Sequence, residues 1–216
     1  MYKNKLDISF IKEYINNGEF DKEKIKNDLN IKVKSKEYYD IDKLKYEKQH
    51  INYNTVRKLG LFRSVIFQCG NLVCFSPSKS LNEGQFFENN NFKNIVLENY
   101  IEGIMVNFFY NKKKRLWNVS CTPESNKNHN IFSDIFIEHK LSWNMFDTSY
   151  CYCFVLQHPE NKIVIPIEKS ALYLVEVYKI EGFIIERMNF KNMKCFSTLL
   201  HQVNIANEIP IGDMSM

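Results

Sequence analysis

Over the first 50 residues the apolar positions recur at helical intervals. Leu6, Phe10, Ile11, Tyr14 and Ile15 form one such set, with Asp7 to Ser9 able to cap its start and Asn17-Gly18 to end it. A second helix is predicted from Asp21 to about Leu29, with Phe20, Ile25 and Leu29 on its apolar side. Lys, Glu and Asp fill the remainder, so residues 1–55 read as a helical appendage with a solvated polar side. From about Leu59 the pattern changes to short apolar runs joined by turn residues, the signature of hairpins. Residues 64–68 and 72–75 flank Cys69-Gly70-Asn71, and residues 101–110 and 116–120 flank the basic tip Asn111-Lys112-Lys113-Lys114-Arg115. Residues 130–141 return to helical spacing through Ile131, Phe132, Ile135 and Phe136. Strands are predicted at 150–157 and 162–167 around His158-Pro159-Glu160-Asn161, then at 171–180 and 183–187 around Glu181-Gly182. A short helix carrying Phe196, Leu199 and Leu200 follows, and the tail from Asn207 reads as frayed. This order predicts an α+β protein centred on antiparallel sheet: an appendage over 1–55, a main domain over 56–206 and a tail over 207–216.

Composition agrees with a folded core, at 44% hydrophobic and 14% aromatic residues with only seven glycines and five prolines. The net charge of +4 permits an anionic partner without requiring one, because affinity for phosphate depends on where charges cluster. At the tip Lys112 to Arg115, the reading favours solvation of a hairpin end over a grip on RNA. Six cysteines lack CxxC spacing, which leaves a zinc site without support, and free thiols in a reducing, intracellular compartment are the simplest reading. Cys151 and Cys153, two apart in an apolar run, fall on one face of a strand. No window reaches the ~18 apolar residues of a membrane span, and the first residues lack the apolar stretch of a signal peptide, so no membrane partner is expected. Glycine-rich phosphate loops, GxSxG and HExxH are all missing from the sequence.

Four segments carry a resemblance. Phe62-Arg63-Ser64-Val65-Ile66-Phe67 looks like a strand with an arginine before an apolar run. Phe75-Ser76-Pro77-Ser78-Lys79-Ser80, with Phe86-Phe87 beyond, places a lysine ahead of an aromatic pair. Glu98-Asn99-Tyr100-Ile101-Glu102-Gly103 comes third. Tyr152 to Val164, with Pro159-Glu160-Asn161-Lys162-Ile163-Val164 at its end, comes fourth, and Leu172 to Val177 continues the series. In this order they resemble the adenylylation domain of phage-type RNA ligases and related covalent nucleotidyltransferases. The overall style also resembles proteins of large cytoplasmic DNA viruses, which implies a location in host cytoplasm or virion.

The resemblance implies a lysine that attacks the α-phosphorus of ATP or GTP with magnesium, an amine whose pKa must be depressed to react. Here the nucleophile position holds Tyr100, the following carboxylate position Glu102, and Gly103 matches. Val155 stands where the family carries a glutamate, and Lys191 or Lys194 is a weak match to a late phosphate lysine. Arg63, Lys79 and Lys162 remain as phosphate-binding candidates beside Gly103. Each has a plain alternative: Arg63 as a strand-end residue, Lys79 as a loop lysine, Glu102-Gly103 as a strand bend, Tyr100 as a half-buried aromatic and His158 as a turn residue. The resemblance therefore implies a degenerate relative that binds nucleotide, RNA or a viral protein partner without the covalent step. Two alternatives stay open: an active ligase with a relocated nucleophile, and an unrelated viral structural or host-interaction protein.

Overall fold

Period-two burial begins earlier in the chain than the sequence pattern predicts. The structure is a computed structural model and describes residues 5–36, 40–88, 90, 97–161, 164 and 166–209. Strand β1 spans Lys5–Asp7, and a 3-10 turn over Ser9–Tyr14 stands where a longer helix is expected. The Asp7 carboxylate accepts the Ser9 amide at 2.7 Å, a local bond that competes with helical pairing. Strands β2 (Ile15–Asn16) and β3 (Glu19–Phe20) meet across Asn17-Gly18, both at positive φ. Helix α1 (Lys22–Leu29) matches its expectation. Asp21 caps it by accepting the Lys24 amide at 3.0 Å, left-handed Asn30 closes it, and Ile25 and Leu29 are its buried face.

The expected helical appendage gives way next to two strands, β4 (Ile31–Lys36) and β5 (Ile41–Tyr46). The reason lies in Ile31-Lys32-Val33-Lys34-Ser35-Lys36, an alternation of period two that the high lysine content disguises. They pair antiparallel from Ile31↔Tyr46 to Lys36↔Ile41. Beyond the short helix α2 (Val56–Leu59), β6 (Val65–Gln68) pairs with β5, and β7 (Asn71–Cys74) pairs with β6. The boundary expected after residue 55 therefore falls inside one sheet of order β4-β5-β6-β7. The β6–β7 turn is the predicted one, with Cys69 and Gly70 at φ 46° and 73°. Gly70 is required there, because a Cβ would stand 2.9 Å from Ile15 Cγ2. Helix α3 (Glu83–Phe87) follows.

Further along come β8 (Leu97–Glu98), β9 (Ile104–Asn111), β10 (Leu116–Thr122), helix α4 (Asn126–Glu138) and β11 (Tyr150–Gln157). They are followed by β12 (Ala171–Glu181), β13 (Ile184–Arg187), α5 (Ser197–Leu200) and β14 (Glu208–Ile209). Helix α4 starts four residues before its expected position because Ser125 caps it, accepting the Asn128 amide at 3.1 Å. Of the strand expected over 162–167, residues 164, 166 and 167 are not strand, and Lys162, Ile163 and Ile165 lie outside the described residues. The start of the tail is not frayed: Glu208–Ile209 pairs with Leu97–Glu98.

The chain forms two compact units, Met1–Asn91 with Tyr178–Arg187 and Phe92–Val177 with Met188–Met216. The first holds the β4-β5-β6-β7 sheet and a second set in which β13 lies between β1 and the end of β12. The other unit has strand order β12-β11-β9-β10. Helix α4 supplies Ile131, Phe132, Ile135 and Phe136 to its core at helical spacing. Fully buried Phe108 is the hub, stacked on Trp117 at 4.6 Å between centroids and edge-on to Phe146 at 4.7 Å, with Phe132, Phe136 and Tyr152 around it. The protein is thus mixed α and β, with antiparallel pairing in both units. None of the described helices is long and apolar enough to cross a membrane. Phe108→Ala should cost about 3–5 kcal/mol, read as a lower urea midpoint at unchanged slope.

Candidate functional site

Alternation along β9 sends Ile104, Val106 and Phe108 into the aromatic core and Met105, Asn107 and Phe109 to the other face. Residues directly opposite in an antiparallel ladder share a face. Asn107 is opposite Cys153 of β11 on one side and Ser120 of β10 on the other. All three are buried, which makes a row of amide, thiol and hydroxyl across the sheet. Two residues along, Met105 is flanked by Val155 and Thr122. Glu176 of β12 lies close enough to act on Cys153. Burial first, then Cys151 and Glu176, holds the Cys153 thiol well above its usual range. A thiol so placed stays protonated and is a poor nucleophile.

Val155 is 6% exposed, so the position the resemblance gives to a carboxylate is a packed apolar one. Gly103 is in the second unit beside it. A Cβ there would stand 2.6 Å from both the Leu156 carbonyl oxygen and Val155 Cγ1, so glycine is what lets the chain pass β11. Glu102 is engaged on both sides of that passage. Its carboxylate accepts the Val164 amide and its carbonyl accepts Gln157 Nε2 at 2.8 Å. These bonds give Glu102-Gly103 a structural task, the strand-bend alternative. Tyr100 is 91% exposed, neither a half-buried aromatic nor enclosed by groups that would activate a phenol. Lys191 pairs with Glu98 and donates to the Ala206 carbonyl at 3.3 Å, which ties it to the β8 segment. His158 accepts the Glu160 amide at 3.2 Å, as a turn residue does. Lys162 lies outside the described residues.

Arg63 and Lys79 belong to the first unit, and both are exposed. The Lys79 amide donates to Gly60 at 2.9 Å, which fixes its backbone beside α2. Arg63 precedes β6, next to Phe62, whose carbonyl accepts the Tyr46 amide at 2.8 Å. It thus stands at the end of β5, near a group of lysines. Lys32 is opposite Lys45, and Lys34 opposite Lys43. Burial, then Lys43, Lys48, Lys34 and Arg63, lowers the Lys45 pKa. The signal is present as Lys-x-Lys-x-Lys at 32–36 and Lys-x-Lys at 43–45, within the charged residues that fill the rest of the expected appendage.

No protein-family model matches this chain, and no curated protein matches its sequence. Among the described residues no group of three or more His, Cys, Asp or Glu side chains is placed to hold a metal ion. The donors of the polar row are also a poor set for magnesium, which prefers carboxylate and phosphate oxygens. At the positions the resemblance singles out, Tyr100 offers an exposed phenol and Val155 no donor, so these two side chains do not fit the magnesium-assisted covalent step that the resemblance implies.

Gly103→Ala should destabilise the protein by about 1–3 kcal/mol, since the Leu156 carbonyl is backbone and cannot turn aside. Chemical denaturation measures it. No disulfide joins any of the six cysteines, of which Cys69 and Cys195 are exposed and the other four buried. A thiol-specific chromogenic reagent at mildly alkaline pH should titrate those two quickly in the native protein and the other four only after denaturation.

Proposed function

We propose that this chain is a degenerate, ligase-like sheet protein that binds nucleotide, RNA or a viral protein partner without transferring a nucleotidyl group to itself. The observation that carries this reading is the pair of side chains at the two positions where chemistry would reside. Tyr100 is an outward phenol, and Val155 is a packed hydrocarbon. Covalent transfer needs an amine of lowered pKa facing the α-phosphorus, with cations or metal to take up charge on the leaving pyrophosphate. An exposed tyrosine does not offer a water-excluded setting.

The antiparallel arrangement of β9, β10 and β11 and the engagement of Glu102 with the segment after β11 support a kept scaffold with altered chemistry. The viral setting rests on the sequence resemblance alone. Incubation with α-labelled ATP or GTP and magnesium, followed by denaturing electrophoresis, should give no protein-bound label. Tyr100→Phe should leave that result and the melting temperature unchanged. An acid-labile adduct mapped by mass spectrometry to any residue would overturn the reading.

A further inference from the structure

The strands β4 and β5 bring lysines directly opposite one another, an arrangement that asks for a reason. Lys32, Lys34 and Lys36 alternate along β4, and their partners across the ladder on the same face are Lys45, Lys43 and Ile41. Like charges directly opposite one another on a sheet are destabilising. The opposite face is composed otherwise, with Ile31, Val33 and Leu44 and a hydroxyl–carboxylate bond from Ser35 to Asp42 at 2.5 Å. Lys48 and Arg63 lie past the end of β5, both near enough to act on Lys45. Glu47 pairs with Lys32 at 2.7 Å.

One ordinary reason for lysines on a strand is protection of a sheet edge. It accounts for β4, which is the edge of the β4-β5-β6-β7 sheet. It does not account for Lys43, which is opposite Lys34 of β4 on one side and Ile66 of β6 on the other. A function for the face itself covers both strands.

We infer that the lysine face of β4 and β5, with Lys48 and Arg63 at its end, is a binding site for the sugar-phosphate backbone of a nucleic-acid strand. Alternate residues on a strand stand about 6.7 Å apart, comparable to the spacing of successive phosphates, so Lys32, Lys34 and Lys36 can meet neighbouring phosphates in turn. Backbone binding needs charge and little else, and it carries no sequence preference. The alternatives need more than this face offers. A membrane-surface element inserts apolar or aromatic side chains beside its cations, and a protein interface is built around a desolvated apolar centre. On these two strands the face is cationic at Lys32, Lys34, Lys36, Lys43 and Lys45, and its apolar member, Ile41, is buried. This site is separate from the Asn107–Ser120–Cys153 row and stands whether or not the chain forms a nucleotidyl adduct.

Fluorescence anisotropy of a labelled oligouridylate against the full chain tests the site. With five phosphate contacts, affinity should fall about 100-fold between about 50 and 200 mM salt, from a slope near −0.7 per contact. Lys34→Ala with Lys45→Ala should flatten that log–log slope by about 1.4 and weaken binding at least tenfold at low salt. The same change should leave the melting temperature equal or higher, since it relieves repulsion. Lys34→Glu alone should raise the melting temperature by pairing with Lys43 and still weaken binding, so a folding defect cannot imitate the result. Neutralising Lys112 to Arg115 should leave binding unchanged. The proposal is overturned if the oligonucleotide is not bound at low salt, or if the β4–β5 variants bind like the parent. Loss of binding in the hairpin-tip variant overturns it too. So does capture by phosphatidylserine vesicles, but not by RNA, that depends on Lys34 and Lys45.

Discussion

Direct opposition of residues across an antiparallel ladder is the constraint on which the rest of this molecule depends. Once a register is set, whole faces are set with it, because a slip of one residue would exchange them. In the second unit the register of β9 with β10 and β11 gives Phe108 its aromatic neighbourhood and lines up Asn107 with Ser120 and Cys153 on the other side. In the first unit the same rule brings Lys32 opposite Lys45 and Lys34 opposite Lys43. Core, polar row and charged face are three outcomes of one geometric rule applied to different residues.

Much of the hairpin order was legible in the chain, since turns such as Cys69-Gly70 and Glu181-Gly182 announce themselves through residues that accept positive φ. Helix α1 was legible through its Asp21 cap. The segment over residues 31–46 was not, because its apolar residues are few and its lysines fit a solvated helix as readily as a strand. The start of α4 was misplaced for a local reason: Asn126 to His129 are polar, and only the cap at Ser125 reveals that they are helical. Site residues fared differently again. Tyr100, Glu102 and Gly103 could be named from spacing, but spacing cannot say that the phenol points to solvent or that a Cβ at 103 would meet the Leu156 carbonyl.

Gly103 and Val155 show how a position can keep its shape while its chemistry changes. The close passage at Gly103 persists for packing reasons, whatever the neighbouring residue does. A valine in β11 is packed there at 6% exposure, and a carboxylate in the same place would be desolvated. Glu102 in turn is occupied as a hydrogen-bond acceptor for Val164 and takes part in joining segments.

The first unit is discontinuous in sequence, Met1–Asn91 completed by Tyr178–Arg187. During synthesis the ribosome must add the 96 residues from 92 to 187 before β13 can lie between β1 and β12. At bacterial to eukaryotic elongation rates this is an interval of about 5–20 s. For that time the edge groups of Lys5–Asp7 are without their strand partner, and a nascent chain in this state is a natural client for a chaperone.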